Sequence, residues 1–101
     1  GTTTAEGTKA INQVRARAAA SQLTSFSLNE ILDEWSREFY FEGRRRTDLI
    51  RFDKFGGNNN YNWAWKSGVI TGANFSKDMN LFPLPNTELN TNKNLKQNPG
   101  Y

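Results

Sequence analysis

The fold is decided by the stretch Ser27-Leu28-Asn29-Glu30-Ile31-Leu32-Asp33-Glu34-Trp35-Ser36-Arg37-Glu38-Phe39. It opens with a capping box, in which the Ser27 hydroxyl and the Glu30 carboxylate can each accept a hydrogen bond from the other residue's backbone amide. Apolar side chains then recur three and four positions apart, which is the spacing of one helix face. These side chains are Leu28, Ile31, Leu32, Trp35 and Phe39. The pattern predicts an amphipathic helix over residues 28–42, ended near Gly43.

Two further helices are predicted on either side of this one. Thr3 and Glu6 fit a second capping box, and Ile11 and Val14 begin an apolar stripe that predicts a helix over residues 4–20. A short stretch around Leu49 predicts a third helix over residues 45–52. Because the linker between the first two helices is short, we expect them to be antiparallel neighbours.

The chain from residue 56 to residue 101 has a different composition. Eleven of the 13 asparagines lie in it, and Pro83, Pro85 and Pro99 interrupt any long regular element. Such a segment cannot easily build a core of its own, so we expect it to lie across a surface made by other residues. The predicted fold class is therefore mainly α, with two or three helices followed by a long, irregular, loop-rich tail.

Composition excludes several kinds of chemistry. The 101 residues include no cysteine and no histidine, which excludes disulfides, thiolate metal sites and the commonest general base. No apolar run approaches the roughly 20 residues that span a bilayer. The net charge of +3 leaves nucleic-acid binding open, but the acids around Arg44-Arg45-Arg46 favour internal salt bridges. We expect no nucleic-acid partner, no metal and no cofactor.

Charged and aromatic residues alternate closely between Arg37 and Arg51. Some of these charges must face buried surface, where an ion needs a partner. We predict a partly buried charge network made by Glu38, Glu42, Arg45 and Asp48. Glu38 and Glu42 lie one helical turn apart, a spacing compatible with a retaining glycosidase. The neighbouring arginines would hold both acids ionised and leave no general acid, so the sequence favours a structural role and no enzyme.

Three large aromatic residues, Tyr61, Trp63 and Trp65, lie in a polar, asparagine-rich segment. Their alternation with small or polar residues predicts a short strand that would place all three rings on one face. Flat rings flanked by amides suit the apolar C–H faces and hydroxyl groups of sugars, so the three residues are candidate ligand contacts. The alternative is that the rings anchor a segment that is poor in other core residues.

Two separated blocks resemble the SusD/RagB family of nutrient-binding proteins in Bacteroidetes. The first block follows the family's signature of Arg-Glu, Phe-Glu-Gly, Arg, Asp-Leu and Arg, carried here by Arg37-Glu38, Phe41-Glu42-Gly43, Arg45, Asp48-Leu49 and Arg51. The second block runs from Leu81-Phe82-Pro83-Leu84-Pro85 to Asn94-Leu95-Lys96-Gln97-Asn98-Pro99-Gly100-Tyr101, and it is similar to the family's C-terminal end. The order and spacing of the blocks agree over most of the chain.

This resemblance implies the C-terminal segment, over residues 1–101, of a helical, tetratricopeptide-related fold. Family members are lipid-anchored proteins of the outer-membrane surface that capture oligosaccharides and deliver them to a SusC-like TonB-dependent transporter. The implied partners are an oligosaccharide, that transporter and the remainder of the same protein upstream of residue 1. The resemblance carries no ligand residue onto this chain. It leaves open a peptide- or protein-binding scaffold of the RagB-like branch as the alternative function.

Overall fold

A computed structural model describes all residues, 1–101, and it is mainly helical, as predicted. Its four α-helices are α1 (Ala5–Arg17), α2 (Leu28–Glu38), α3 (Arg45–Arg51) and α4 (Asn86–Thr91), with 3-10 turns at Lys66–Gly68 and Lys77–Asn80. There is no strand, only two isolated β-bridges. The chain divides into two compact units, Gly1–Arg45 and Arg46–Tyr101. No helix is both long enough and apolar enough to span a membrane.

Helix α2 begins at its predicted capping box, but the box predicted from Thr3 and Glu6 for α1 is wrong, because the Thr3 hydroxyl bonds Thr8 and the Phe26 amide instead. Both helices end earlier than predicted. Thr4 is the N-cap of α1, and Ser27 and Glu30 form the predicted capping box of α2. The predicted ends at residues 20 and 42 are wrong, because Ala19 and Phe41 each adopt a left-handed backbone conformation that cannot continue a helix. The third predicted helix, over residues 45–52, agrees with α3 to within one residue.

The antiparallel arrangement predicted for the first two helices is wrong. The linker, residues 18–27, runs back along α1, because the Asn12 side chain bonds both the amide and the carbonyl of Leu23. The linker ends where the Thr3 amide donates to the Phe26 carbonyl at 2.9 Å, so α2 begins beside the start of α1. Arg17 and Glu38 then form an ion pair at the ends of the two helices. The two helices therefore run in parallel, unlike the helix–turn–helix of a tetratricopeptide repeat.

The first unit is held together by a small core and a buried ion pair. The side chains of Phe26 and Leu32 are fully buried. Glu34, two residues after Leu32 in α2, is also buried. Its carboxylate accepts hydrogen bonds from Arg15 of α1 and from Arg37 one turn along α2. The ion pair between Glu34 and Arg15 therefore joins the two helices. Removing either partner would leave a buried charge without a counter-ion, which lowers the free energy of unfolding substantially.

The second unit is organised by side chains that bond to backbone. The Arg46 guanidinium donates to the Met79 carbonyl at 2.8 Å and lies 3.8 Å from the centre of the Phe82 ring. The side-chain amide of Gln97 bonds the backbone of Leu84 twice. Its oxygen accepts from the Leu84 N–H at 2.7 Å, and its nitrogen donates to the Leu84 carbonyl at 3.0 Å. Asn98 and Tyr101 donate to the neighbouring carbonyls of Phe82 and Leu81. The end of the chain thus fastens the proline-rich segment without forming a strand.

Candidate functional site

The three predicted ligand-contact residues lie in one loop of the second unit but in different environments. Tyr61 and Trp63 are half-buried, and their rings meet edge to face at 6.4 Å, 65° apart. Trp63 makes a second edge-to-face contact with Phe75 at 6.3 Å. Trp65 has an exposed fraction of 65%. The rings therefore do not form a coplanar platform, and Trp65 is the one presented to solvent.

The predicted strand over residues 61–65 does not form, because the chain turns sharply at Trp65. Trp65 has a φ angle of 67° and Ser67 a φ angle of 58°, both in the left-handed region. The Trp65 amide donates to the Ile70 carbonyl at 3.4 Å, which closes the turn. Gly72 also has a positive φ angle, and a Cβ atom there would lie 2.4 Å from the Trp63 carbonyl oxygen. Only glycine permits this close approach between the two arms of the loop.

Lys66 holds the inner side of this loop, a role that the sequence did not reveal. Its side chain is 1% exposed, and its Nζ donates to the Tyr61 carbonyl at 3.2 Å. The same nitrogen lies 4.8 Å from the centre of the Trp63 ring and 5.5 Å from that of Phe75. Burial lowers the pKa of the Lys66 ammonium. Trp63 therefore packs on a desolvated cation from the inside, while Trp65 faces outward.

The asparagines beside these rings divide into two groups. Asn58 bonds the Asn74 side chain at 3.0 Å, and the Asn59 side chain accepts from the Tyr61 amide at 3.1 Å. Both amides therefore hold the loop together. Asn60 and Asn62 are exposed, so their amides can still donate to and accept from the hydroxyl groups of a ligand.

Three of the four residues predicted to form a charge network, Glu38, Arg45 and Asp48, make contacts within their own units. Glu38 pairs with Arg17, and Arg45 donates to the Leu32 carbonyl at 2.8 Å. Asp48 is buried and accepts from Arg51 at 3.3 Å. Glu42 is exposed, so the expectation that it is partly buried is wrong. Its position follows from the early end of α2, which places Glu42 in a turn instead of on a helix face.

Glu34 is the buried acid that sequence reasoning missed. Burial acts to raise the pKa of this carboxyl, but the hydrogen bonds and positive charges of Arg37 and Arg15 outweigh it and lower the pKa. The capping Glu30 also has a lowered pKa, because it accepts from the backbone and the hydroxyl of Ser27. Glu34 has no distinguishing mark in the sequence. Only its place on α2 opposite Arg15 shows its role.

Each of the three consecutive arginines makes contacts within its own unit. Arg44 lies over the ring of Phe39 at 4.2 Å in the first unit. Arg45 also belongs to that unit and bonds Leu32, whereas Arg46 bonds the carbonyls near Met79 in the second unit. These contacts join each guanidinium to carbonyls or aromatic rings of its own unit.

Comparison of the sequence with known proteins identifies the family of this chain. The sequence profile of the SusD family matches residues 1–101, the whole chain. The chain belongs to the SusD family. It is 42% identical over 97 residues to the starch-binding protein SusD of Bacteroides thetaiotaomicron. That match covers 95% of this chain and 17% of the relative, so the chain spans about a sixth of the relative's length.

The structure shows what the residues of the two SusD-family signature blocks do in the fold. In the first block, Asp48 and Leu49 are buried and α3 carries both. In the second block, Gln97, Asn98 and Tyr101 are the side chains that fasten the backbone of residues 81–84. Gly100 is required there, because its φ angle is 89° and a Cβ atom would lie 2.8 Å from Asp78.

Proposed function

We propose that this chain is the C-terminal segment of a surface glycan-binding subunit, anchored by lipid to the outer membrane through a region outside the chain. The whole subunit captures an oligosaccharide and delivers it to a SusC-like TonB-dependent transporter. The observation that carries the proposal is the 42% identity, across nearly the whole chain, to a protein named for binding starch. The subunit acts by binding and not by catalysis.

Trp65 is the residue of this segment that would contact the glycan. Its indole is exposed, and its ring is free of the edge-to-face contacts that engage Tyr61 and Trp63. An indole face can cover the apolar C–H surface of a sugar ring, while its N–H can donate to a hydroxyl group. The exposed amides of Asn60 and Asn62 lie in the same loop and add donors and acceptors.

The arrangement of the acids supports binding over hydrolysis. A retaining glycosidase needs two carboxyl groups about 5–5.5 Å apart, of which one is a protonated acid. Glu38 is ion-paired with Arg17, and Glu34 is held ionised by two arginines. Glu42 is exposed and lies in a turn. The acids of α2 and its following turn therefore act as ion-pair partners or as surface charges.

The test is calorimetry on the longer protein that carries this segment, with malto-oligosaccharides and with mixed peptides as ligands. We expect oligosaccharide binding and an affinity about tenfold weaker in Trp65→Ala, which corresponds to about 1.4 kcal/mol. Trp63→Phe is the matched control, because it keeps an aromatic ring in the buried contact and should bind as the unchanged protein does. Binding of peptides but of no oligosaccharide would replace this proposal with the RagB-like alternative.

A further inference from the structure

The loop that carries Trp65 is strained at its tip, residues 64–70. Trp65 and Ser67 have φ angles of 67° and 58°, in the left-handed region that favours glycine. The Lys66 amide donates to the Trp63 carbonyl at 3.1 Å, which closes a tight turn with Trp65 as its third residue. Such turns usually carry glycine there, since a bulky side chain adopts this conformation only at a cost. Strain of this kind persists where the surrounding structure holds it in place.

Lys66 lies between the two strained residues and is an internal anchor of the loop tip. It is buried, whereas every other residue from 64 to 70 is exposed. Its backbone carbonyl accepts from the Val69 amide at 3.4 Å and from the Ala73 amide at 3.1 Å. Its side chain reaches the opposite arm, where Nζ donates to the Tyr61 carbonyl at 3.2 Å. One residue therefore ties the tip to both arms of the loop.

The positive charge of Lys66 adds an attraction that the volume of its side chain does not. The ammonium lies 4.8 Å from the centre of the Trp63 ring and 5.5 Å from that of Phe75, and a desolvated cation is drawn to aromatic faces. An apolar side chain of similar length would fill the same space without the cost of burying a charge. It would lack both this attraction and the hydrogen bond to Tyr61. Packing alone therefore does not account for a cation here, whereas the need to orient the loop tip does.

We propose that Lys66 is a positioning residue for the glycan contact, whose buried ammonium keeps Trp65 turned outward in its left-handed conformation. The indole is then held in one orientation before a sugar ring arrives, so binding does not have to order it. Without the ammonium, the loop tip relaxes toward ordinary backbone conformations, and the release of strain at Trp65 and Ser67 offsets the lost contacts. The inference rests on the proposed function, because Lys66 acts on the glycan only through Trp65.

Lys66→Met tests this role in the longer protein that carries the segment, because methionine keeps most of the side chain's length and removes its charge. Calorimetry with a malto-oligosaccharide should show an affinity about tenfold weaker, as in Trp65→Ala, while Tm changes little. Lys93→Met, at an exposed position, is the matched control and should bind as the unchanged protein does. Unchanged affinity in Lys66→Met, or loss of its cooperative thermal transition, would overturn the proposal.

The Trp65 indole N–H resonance, assigned through Trp65→Phe, tests the positioning without any ligand. In Lys66→Met we expect this resonance to move and its heteronuclear NOE to fall, because the indole loses its fixed orientation. The Trp35 resonance of the first unit is the control and should stay in place. An unchanged Trp65 resonance would contradict the proposal whether or not an oligosaccharide binds. Absence of oligosaccharide binding to the unchanged protein would instead refute the proposed function.

Chemical rescue separates the charge of the side chain from its shape. Lys66→Cys, alkylated in the unfolded protein and then refolded, can receive an aminoethyl group from 2-bromoethylamine or a neutral propyl group of equal length from 1-iodopropane. The aminoethyl adduct should recover the Trp65 resonance and the oligosaccharide affinity, whereas the propyl adduct should resemble Lys66→Met. The unchanged protein, treated with each reagent, controls for reaction at other sites. Equal affinities of the two adducts would count against a role for the charge and overturn the proposal.

Discussion

Glu34→Gln is the substitution that best tests how the first unit is held together. The carboxylate accepts from Arg15, whose side chain is 13% exposed, and from Arg37, which is largely exposed. Removing the negative charge leaves the Arg15 cation buried without its counter-ion. Breaking such a pair costs about 3–5 kcal/mol. We expect about 3 kcal/mol, at the lower end, because the glutamine oxygen can still accept one hydrogen bond.

Urea unfolding followed by circular dichroism at 222 nm measures this loss, with trimethylamine N-oxide added to keep the folded baseline within reach. Glu38→Gln is the matched control, because its partner Arg17 is 69% exposed and an exposed pair contributes about 0–1 kcal/mol. The double change Arg15→Met with Glu34→Leu should recover most of the loss, because it removes both charges together. Equal effects of Glu34→Gln and Glu38→Gln would refute the reasoning.

The remaining predictions concern the two units separately. Because the pKa of Glu34 is lowered from 4.5 in the folded state, its contribution to stability is full above that value. It should be lost as the pH falls through the folded pKa, and Glu34→Gln should flatten that acid branch of a Tm-against-pH curve. Gly72→Ala should cost about 2–3 kcal/mol in urea unfolding, since its Cβ atom would meet the Trp63 carbonyl; Gly57→Ala, in open space, would reveal the strain contribution alone. Lys66→Met should change stability by less than about 1 kcal/mol, because it removes a desolvated charge along with its hydrogen bond; a loss above 3 kcal/mol would show that the cation is essential. Gln97→Ala should cost about 2 kcal/mol through the hydrogen bonds to Leu84, whereas the exposed Gln22→Ala should cost almost nothing.

Local rules predicted the start of α2 correctly, whereas at α1 they assigned the cap to Thr3 instead of Thr4. The capping box of Ser27 and Glu30 and the stripe through Leu32 depend on neighbours within one or two turns, which the sequence displays directly. The ends were less predictable. Ala19 and Phe41 adopt left-handed conformations that sequence rules assign to glycine or asparagine. Both residues are good or acceptable in helices, so nothing local marked them as helix ends.

Long-range contacts explain the larger differences between prediction and structure. The parallel course of α1 and α2 depends on Asn12 bonding Leu23, eleven residues away, and a linker of that length is compatible with either direction. The aromatic segment showed the alternation of a strand, but Lys66 is drawn into the ring cluster and turns the chain there. Lysine side chains are usually exposed to water, so nothing in the sequence indicated that Lys66 would be buried.

The sequence placed the three candidate ligand-contact residues in one segment, but it could not predict which of their rings is exposed. The sequence indicated that Tyr61, Trp63 and Trp65 were the aromatic residues that could contact a ligand or act as anchors. The structure divides them, with Tyr61 and Trp63 packed inward and Trp65 exposed. That division follows from one backbone feature, the left-handed conformation at Trp65, which the sequence did not indicate.

The most direct test of the account is the response of the indole N–H resonances to an oligosaccharide. This chain has three tryptophans, and Trp65→Phe and Trp63→Phe assign two of the signals in the longer protein that carries the segment. Titration with a malto-oligosaccharide should shift the Trp65 resonance and leave those of Trp63 and Trp35 in place. A shift of Trp63 with no change at Trp65, or saturating binding that moves neither, would contradict the account.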